Sequence, residues 1–217
     1  MTHVTSNPLA LTNRFRHFLP VIIDVETGGF NAEQDALLEF AAITVTMDEQ
    51  GDLYPDKEIA HHIVPFDGAN LDAKALEFNK IDPFHPFRFA ISETEALTDL
   101  FTQVTESMKS HHCQRAVLVG HNAWFDLAFL NAAVKRNQLA KLNPFHAFTS
   151  FDTATLSALA YGQTVLAKAL SAAKIDYVAA QAHTALQDVR WTAELFCRIV
   201  NTWSELGGWP ILEPNNK

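Results

Sequence analysis

An apolar run that ends in two acids, LPVIIDVE at residues 19–26, constrains the fold of this chain more than any other segment. Its consecutive apolar positions are typical of a strand buried inside a sheet. Asp24 and Glu26 stand two residues apart at its end, so both side chains leave the same face of the strand. The sequence therefore predicts a buried strand that presents two neighbouring carboxylates. The alternative is a strand that has already reached solvent at Asp24.

The remaining patterns predict an α/β fold with a mixed sheet flanked by helices. Strands are expected at 40–47 and 57–66, which continue the first strand as an antiparallel meander, and later at 116–120 and 148–153, between helices. A Ser92/Glu95 capping box opens one predicted helix. The helices are expected at 71–78, 92–108, about 122–137, 153–161, 164–173 and about 185–203.

Composition narrows the class of protein. Apolar residues make up 48% of the 217 residues and charged residues 19%, which excludes a disordered chain. Because no repeat, low-complexity tract or Gly/Ser linker interrupts the chain, we expect one domain over 1–217. Two cysteines, Cys113 and Cys197, suit a reducing cytosol, and neither a signal peptide nor an apolar run of 18 residues is visible. A cytoplasmic protein that does not span a membrane is expected.

The charge is unevenly distributed. The net charge is −9, yet residues 1–23 contain two arginines and no acid. Residues 107–151 contain a single acid, Asp126, among five basic residues. If the two segments meet in space, they form a phosphate-binding face. The alternative is an ordinary solvated surface. The candidate phosphate contacts are Arg14, Arg16, Arg115 and Lys141.

Asp126 belongs to the segment GHNAWFD, which follows the predicted strand at 116–120. We expect Asn122 to cap the next helix, which places Asp126 one turn inside it. Parallel strands present ligands at their carboxyl ends, so Asp126 can reach a site there. Alternatively, it is a first-turn acid favoured by the helix dipole. His121 is expected to be a surface residue rather than part of the site.

A third acidic segment, HTALQD at 183–188, pairs a histidine with an acid. Thr184 and Gln187 suggest a capping box, with His183 just outside the helix and Asp188 inside its first turns. This arrangement suits a general base beside a fixed metal ligand. Acids from three separate segments indicate a site for two Mg²⁺ or Mn²⁺ ions that hydrolyses a phosphodiester.

The three segments DVETGG (24–29), HNAWFD (121–126) and HTALQD (183–188) resemble, in order, the motifs of the DEDDh 3′-to-5′ exonucleases. His183, Ala185 and Asp188 match the third motif, which separates this superfamily from the branch that carries tyrosine. The resemblance implies a ribonuclease H-like fold and two divalent metal ions. It also implies that the metal site is formed by Asp24, Glu26, Asp126 and Asp188, with His183 as the base.

Segments outside the motifs, among them RFR, ALEFNKIDP, LNPFHAFTSFDTATL and GQTVL, resemble one homodimeric branch of this superfamily. That branch trims RNA 3′ ends and turns over the tRNA CCA terminus. The resemblance implies that the basic patch of one subunit holds RNA cut by the other. It also implies phenylalanines that wedge against terminal bases, and core packing is the alternative for any one of them. The matching positions are Phe30, Phe78, Phe125 and Phe148.

One position departs from that branch. The branch carries a glutamate, associated with poor digestion at cytosine ends, where this chain has Lys74. The resemblance therefore leaves base preference open. The expected function is a 3′-to-5′ exoribonuclease that matures and turns over the 3′ ends of tRNA and other stable RNAs, releasing nucleoside 5′-monophosphates. The alternatives are a proofreading-type DNA exonuclease acting on single-stranded DNA, an oligoribonuclease and an inactive RNA-binding scaffold.

Overall fold

The computed structural model describes residues 9–178 and 184–209. Within them, five strands form one sheet in the order β3-β2-β1-β4-β5. The strands are β1 (Phe18–Thr27), β2 (Leu37–Met47), β3 (Leu53–His62), β4 (Arg115–Gly120) and β5 (Phe145–Asp152). The helices are α1 (Leu11–Arg14), α2 (Ala73–Asn79), α3 (Glu93–Ser110), α4 (Trp124–Arg136), α5 (Thr153–Tyr161), α6 (Leu166–Ala172) and α7 (Ala185–Glu205).

The sheet is mixed, as the sequence predicts. β1 pairs antiparallel with β2, and β2 pairs antiparallel with β3, which completes the meander. On its other side β1 pairs in parallel with β4, and β4 pairs in parallel with β5. The prediction of an antiparallel meander followed by parallel strands is confirmed. Because β1, β4 and β5 are parallel, their carboxyl ends lie at the same end of the sheet.

The strand β1 runs through the centre of the core. Its residues from Leu19 to Ile23 are buried, because β1 is paired on both sides and covered by helices. The helix α7 packs against β1, β2 and β3, whereas α3 and α4 pack against β1 and β4. Burial of these apolar side chains stabilises the fold by about 25 cal/mol for each Å² removed from water. The predicted buried strand is confirmed.

Element boundaries differ where local patterns are weak. β3 covers 53–62 rather than 57–66, because it is an edge strand whose residues from Tyr54 to Glu58 are exposed and polar. β5 begins at Phe145 rather than at 148. The helix α3 carries the predicted capping box, in which Ser92 and Glu95 bond each other's backbone N–H groups. The short α1 and a 3₁₀ turn at Pro86–Arg88 were not predicted.

In the described ranges, no helix has the length and apolar character needed to cross a bilayer.

Candidate active site

Three carboxylates meet where β1 ends and α7 begins. Asp24 and Glu26 lie on β1, and Asp188 is the fourth residue of α7. One oxygen atom from each of the three lies within 4.8 Å of the others. Both β1 acids therefore face the same site, as their spacing predicts, and a helix distant in sequence supplies the third acid.

The three acids form an unfavourable cluster until a cation joins them. Burial raises the pKa of Asp24 well above its usual range, and the charges of Asp126 and Asp188 raise it further. Burial, followed by the charges of Asp188 and Glu39, raises the pKa of Glu26 to about 7. Clustered carboxylate oxygens are the ligands that hard divalent cations prefer. The donor set therefore fits a divalent metal ion.

Asp126 lies beside this cluster in the first turn of α4. It is buried, and its Oδ1 accepts a hydrogen bond from the backbone N–H of Val25 at 3.1 Å. Burial raises the pKa of Asp126 to about 8, although the Val25 hydrogen bond acts in the opposite direction. A Cβ atom on Gly120 would lie 2.9 Å from Asp126 Oδ2, so the glycine permits this close approach. Asp126 is not part of the group of three, but its charge acts on Asp24.

The predicted cap of α4 is wrong. The helix begins at Trp124, and Ala123 occupies the cap position without a side-chain hydrogen bond. Asn122 has a left-handed backbone with φ of 65°, and its N–H donates to Asp152 Oδ1 at 3.1 Å. The turn between β4 and α4 is therefore held by Asp152 of β5 and by backbone hydrogen bonds rather than by the Asn122 side chain.

His121 is not the plain surface residue that was expected. It is half-buried, and its Nδ1 lies 3.0 Å from Thr153 Oγ1. Its Nε2 lies 2.9 Å from the carbonyl oxygen of Thr164. Burial lowers the pKa of His121, which favours the neutral ring. His121 therefore connects the end of β4 to the segments around α5.

At the start of α7, Thr184 is the N-cap residue, as predicted, but its side chain makes no capping hydrogen bond. The N–H of Gln187 donates instead to the Thr184 carbonyl oxygen at 3.0 Å, so the predicted capping box is absent. His183, the predicted base, lies outside the described residues, one position before Thr184.

The four predicted phenylalanines differ in exposure. Phe30 is 87% exposed, Phe148 is 82% exposed and Phe78 is 64% exposed, which is unusual for large apolar rings. Phe125 is half-buried, with its ring centroid 6.0 Å from that of Phe30 and 5.0 Å from that of Phe129. Core packing therefore does not explain Phe30, Phe78 or Phe148, whose rings are largely exposed.

Two residues near the acids were not predicted. Glu39 of β2 is the register partner of Glu26, and its charge raises the pKa of both Asp24 and Glu26. Asn79, at the end of α2, is buried and donates to the carbonyl oxygen of Thr27 at 3.1 Å. Its side chain also hydrogen-bonds Glu26, which lowers the pKa of that acid. Strand register was the only signal available for Glu39. Asn79 stands within the segment ALEFNKIDP, but no local pattern marks it as a residue of the site.

The predicted basic residues lie at the opposite end of the sheet from the acids. Arg14 and Arg16 precede β1, Arg115 begins β4, and Lys141 precedes β5. Eight residues of β1 separate Phe18 from Glu26, which is about 26 Å of strand. The Arg14 guanidinium stacks 4.4 Å from the Trp209 ring, whereas Arg16, Arg115 and Lys141 are exposed. The structure therefore does not bring these cations to the carboxylate cluster.

Relatives of this chain are known across its full length. The RNase T family, described as an exonuclease family, matches residues 21–196. A Vibrio vulnificus (strain CMCP6) protein named ribonuclease T is 54% identical over 215 residues, which cover 99% of each chain. A Vibrio campbellii protein of the same name is 55% identical over 211 residues, 97% of this chain and 98% of its own.

Solved structures share the fold at lower identity. Escherichia coli exonuclease I, in complex with a dT13 oligonucleotide, is 18% identical with a TM-score of 0.65. The match covers 88% of this chain and 43% of exonuclease I, so this chain spans less than half of that protein. A 3′-exonuclease that recognises a histone mRNA stem-loop is 18% identical with a TM-score of 0.61, covering 85% of this chain and 64% of its own.

Proposed function

Because the chain belongs to the ribonuclease T family of 3′-to-5′ exoribonucleases, we propose that it trims short single-stranded 3′ ends of structured RNAs. Its substrates are tRNA and other stable RNAs, during 3′ maturation and end turnover, and its products are nucleoside 5′-monophosphates. The observation that carries this proposal is the cluster of Asp24, Glu26 and Asp188, which has exposed phenylalanines on neighbouring elements. We also propose one domain over 1–217 and a cytoplasmic location, where the RNA substrates are.

A divalent metal requirement follows from the family, and we propose two Mg²⁺ ions, replaceable by Mn²⁺. When bound, two such ions stabilise the attacking and leaving oxygens of an in-line displacement. Asp24, Glu26 and Asp188 hold the ions directly, and Asp126 assists from α4. His183 accepts the proton of the attacking water. The high pKa values of Glu26 and Asp126 support this assignment, because a bound cation stabilises the charged form of carboxylates that burial and, to a smaller extent, neighbouring acids disfavour.

We assign the phenylalanines to the bases at the RNA 3′ end. Stacking on an aromatic ring is worth about 1–3 kcal/mol per base and tolerates any sequence, because every base has a π face. Phe30, Phe78 and Phe148 have the required exposure. An enzyme that trims many RNAs needs this kind of recognition, since contacts to base edges would restrict it to one sequence.

The test is a timed digestion of one RNA hairpin with a single-stranded 3′ overhang, labelled at its 5′ end or its 3′ end. With Mg²⁺, we expect the 5′-labelled RNA to shorten stepwise and the 3′ label to appear at once as a mononucleotide. EDTA should stop both. Internal cleavage products, or full activity in EDTA, would contradict the proposal. The same overhang made of DNA tests the DNA exonuclease alternative, and a di- or trinucleotide tests the oligoribonuclease alternative.

We further propose that two copies of the chain form a homodimer. The basic residues lie about 26 Å along β1 from the acids, so they are poorly placed to hold the last nucleotides bound in their own site. An apolar groove of about 510 Å³ lies beside Arg14, and its lining includes Leu159, which is 82% exposed, and Leu206. Exposed apolar surface of this kind is typical of interaction sites. In the dimer that we propose, the cations of one subunit hold the RNA that the acids of the other subunit cut.

A further inference from the structure

A second groove, of about 580 Å³, lies along the outer face of α4. Trp124 and Phe30 line it, and both rings are exposed, Trp124 by 66%. Ala128 and Ala132 follow Trp124 along the same face of the helix, and their small side chains leave space between the rings. The volume falls within the range of roughly 300–1,000 Å³ that is typical of ligand pockets.

The groove is continuous with the acidic site through the first three residues of α4. Asp126 points to β1, where it accepts the Val25 hydrogen bond. Because successive helical residues are rotated by about 100°, Phe125 and Trp124 point progressively outward. The Trp124 ring centroid lies 5.8 Å from that of Phe125, which in turn contacts Phe30. An aromatic surface therefore leads from the acids into the groove.

A cation completes this groove. Lys135 lines it, three turns along α4 from Trp124, and its Nζ lies 3.1 Å from Glu33 Oε1. Both partners are largely exposed, and exposed ion pairs contribute only about 0–1 kcal/mol. Lys135 can therefore exchange Glu33 for a phosphate at little cost. An aromatic wall with a lysine beyond it matches the chemistry of single-stranded nucleic acid, in which bases and phosphates alternate.

We propose that this groove is a subsite for one unpaired nucleotide of the RNA, upstream of the terminal nucleotides held at the acids. Its base stacks on Trp124, and Lys135 contacts a neighbouring phosphate. The proposal rests on the proposed function and extends it to substrate choice. The enzyme prefers 3′ overhangs long enough to reach Trp124.

The kinetic test compares a hairpin RNA carrying a six-adenylate 3′ overhang with the same hairpin carrying two adenylates. The measured quantity is the ratio of kcat/KM for the long overhang to that for the short one. We expect Trp124→Ala to lower this ratio about tenfold, within the range of one stacked base. Trp124→Phe, which keeps a ring, should largely preserve the ratio.

Phe84→Ala is the matched control, because Phe84 is 75% exposed and lies after α2, away from the groove lining. It should keep the wild-type ratio. An unchanged ratio in Trp124→Ala, or an equal fall in Phe84→Ala, would overturn the subsite. Failure of the proposed function gives a different result, since the wild-type enzyme would then release no mononucleotide from either hairpin.

A binding test avoids hydrolysis altogether. In EDTA, a hexamer of adenylate should quench tryptophan emission of the wild-type protein, since a stacked base quenches an indole. Trp203→Phe, which removes another exposed indole, should retain this quenching, whereas Trp124→Phe should lose most of it. Equal quenching in Trp124→Phe and wild type would place the RNA elsewhere and overturn the inference.

Discussion

Asn79 donates a hydrogen bond from Nδ2 to the carbonyl oxygen of Thr27 at 3.1 Å, and thereby ties the end of α2 to the end of β1. The same side chain hydrogen-bonds Glu26. Phe78, the exposed ring assigned to a base, immediately precedes Asn79 on α2. The position of the ring that we propose to stack on a base is therefore coupled to the position of a proposed metal ligand through one amide group.

We expect Asn79→Ala to raise the Mg²⁺ concentration needed for half-maximal rate about tenfold, since Glu26 loses the amide that positions it. The measurement is the initial rate against Mg²⁺ concentration. Asn201→Ala is the matched control, because Asn201 also bonds backbone atoms, those of Leu53, but far from the acids. Both variants should lose about 1–3 kcal/mol of stability, as buried hydrogen bonds do. An equal Mg²⁺ requirement in the two variants would contradict a positioning role for Asn79.

The stability of the metal-free protein should depend on pH through the clustered acids. Folding raises the pKa of Glu26 from 4.5 to about 7 and that of Asp126 from 3.8 to about 8. The folded chain therefore binds more protons than the unfolded chain, so the free energy of unfolding falls as pH rises through this range. We expect the Tm in EDTA to fall between pH 5 and 8, and to fall less in Asp24→Asn, since that variant removes a third acid whose pKa folding raises. Mg²⁺ should stabilise most at high pH.

Thermal unfolding followed by dye fluorescence, at each pH with EDTA or Mg²⁺, measures this effect. Asp99→Asn is the control, because Asp99 pairs with His61 and is not part of the acid cluster. A Tm in EDTA that rises from pH 5 to 8, or that responds equally to Asp24→Asn and Asp99→Asn, would refute the electrostatic argument.

The proposed base, His183, predicts a particular pH profile of the rate. A histidine that accepts a proton from water gives a rate that rises through a pKa near neutrality. We expect His183→Ala to lower kcat by about 10²–10⁴, the usual contribution of general-base catalysis, and to remove that limb. RNA binding should change little. His85→Ala is the control, because His85 is an exposed histidine at the 3₁₀ turn after α2. A variant at His183 that keeps the wild-type profile would assign the base to another group.

Lys74 lies on α2 one turn before Phe78, so both side chains lie on the same side of this helix. In the branch that the chain resembles, an acid at this position is associated with poor digestion at cytosine ends. We expect the wild-type enzyme to remove a terminal cytidine nearly as fast as adenosine, and Lys74→Glu to slow cytidine removal severalfold. RNAs that differ only in the last nucleotide measure this. A Lys74→Ala variant that slows cytidine equally would assign the effect to the lost lysine.

Mixed dimers test whether the basic end of one subunit serves the acids of the other. Arg16 and Arg115 are both exposed, and Arg16 lies two residues before β1 whereas Arg115 begins the neighbouring β4, so Arg16→Ala with Arg115→Ala removes the proposed phosphate contacts without disturbing the core. This double variant should bind RNA more weakly and with a shallower salt dependence. Mixed with inactive Asp24→Ala, it should regain up to about a quarter of wild-type activity. Mixed dimers that form but stay inactive would contradict the arrangement.

The parts of the fold that the sequence predicted are those fixed by local patterns. The buried run at 19–26 and the capping box at Ser92 depend on neighbouring residues alone, and both are confirmed. The caps at Asn122 and Thr184 were predicted from the same kind of rule, but competing partners decide them. Asp152 takes the N–H of Asn122, and the backbone carbonyl of Thr184 takes the N–H of Gln187.

In the candidate site, too, local patterns predicted some residues, whereas others depend on contacts between distant parts of the chain. Asp24 and Glu26 could be paired in advance because a strand repeats every two residues. Asp188 could be joined to them only as one of three acidic segments, an inference that the resemblance then supported, since 162 positions along the chain separate it from Glu26. Asn79 and Thr27 are 52 positions apart in the sequence, and their hydrogen bond forms only because α2 ends beside the end of β1. No local pattern encodes such a contact.

The separation of charge along β1 makes each subunit an electric dipole. Arginines stand before its first residue, and acids cluster near its last. Two dipoles laid side by side in opposite directions attract one another, so the charges that we propose to bind RNA would also favour an antiparallel pairing of subunits in the proposed homodimer. In such a pair, the basic end of one subunit lies beside the acidic end of the other, so a polyanion is attracted close to each acidic end. In the proposed homodimer, this field would guide the strand across the boundary between subunits, so that the net charge of −9 would not repel it from the acids.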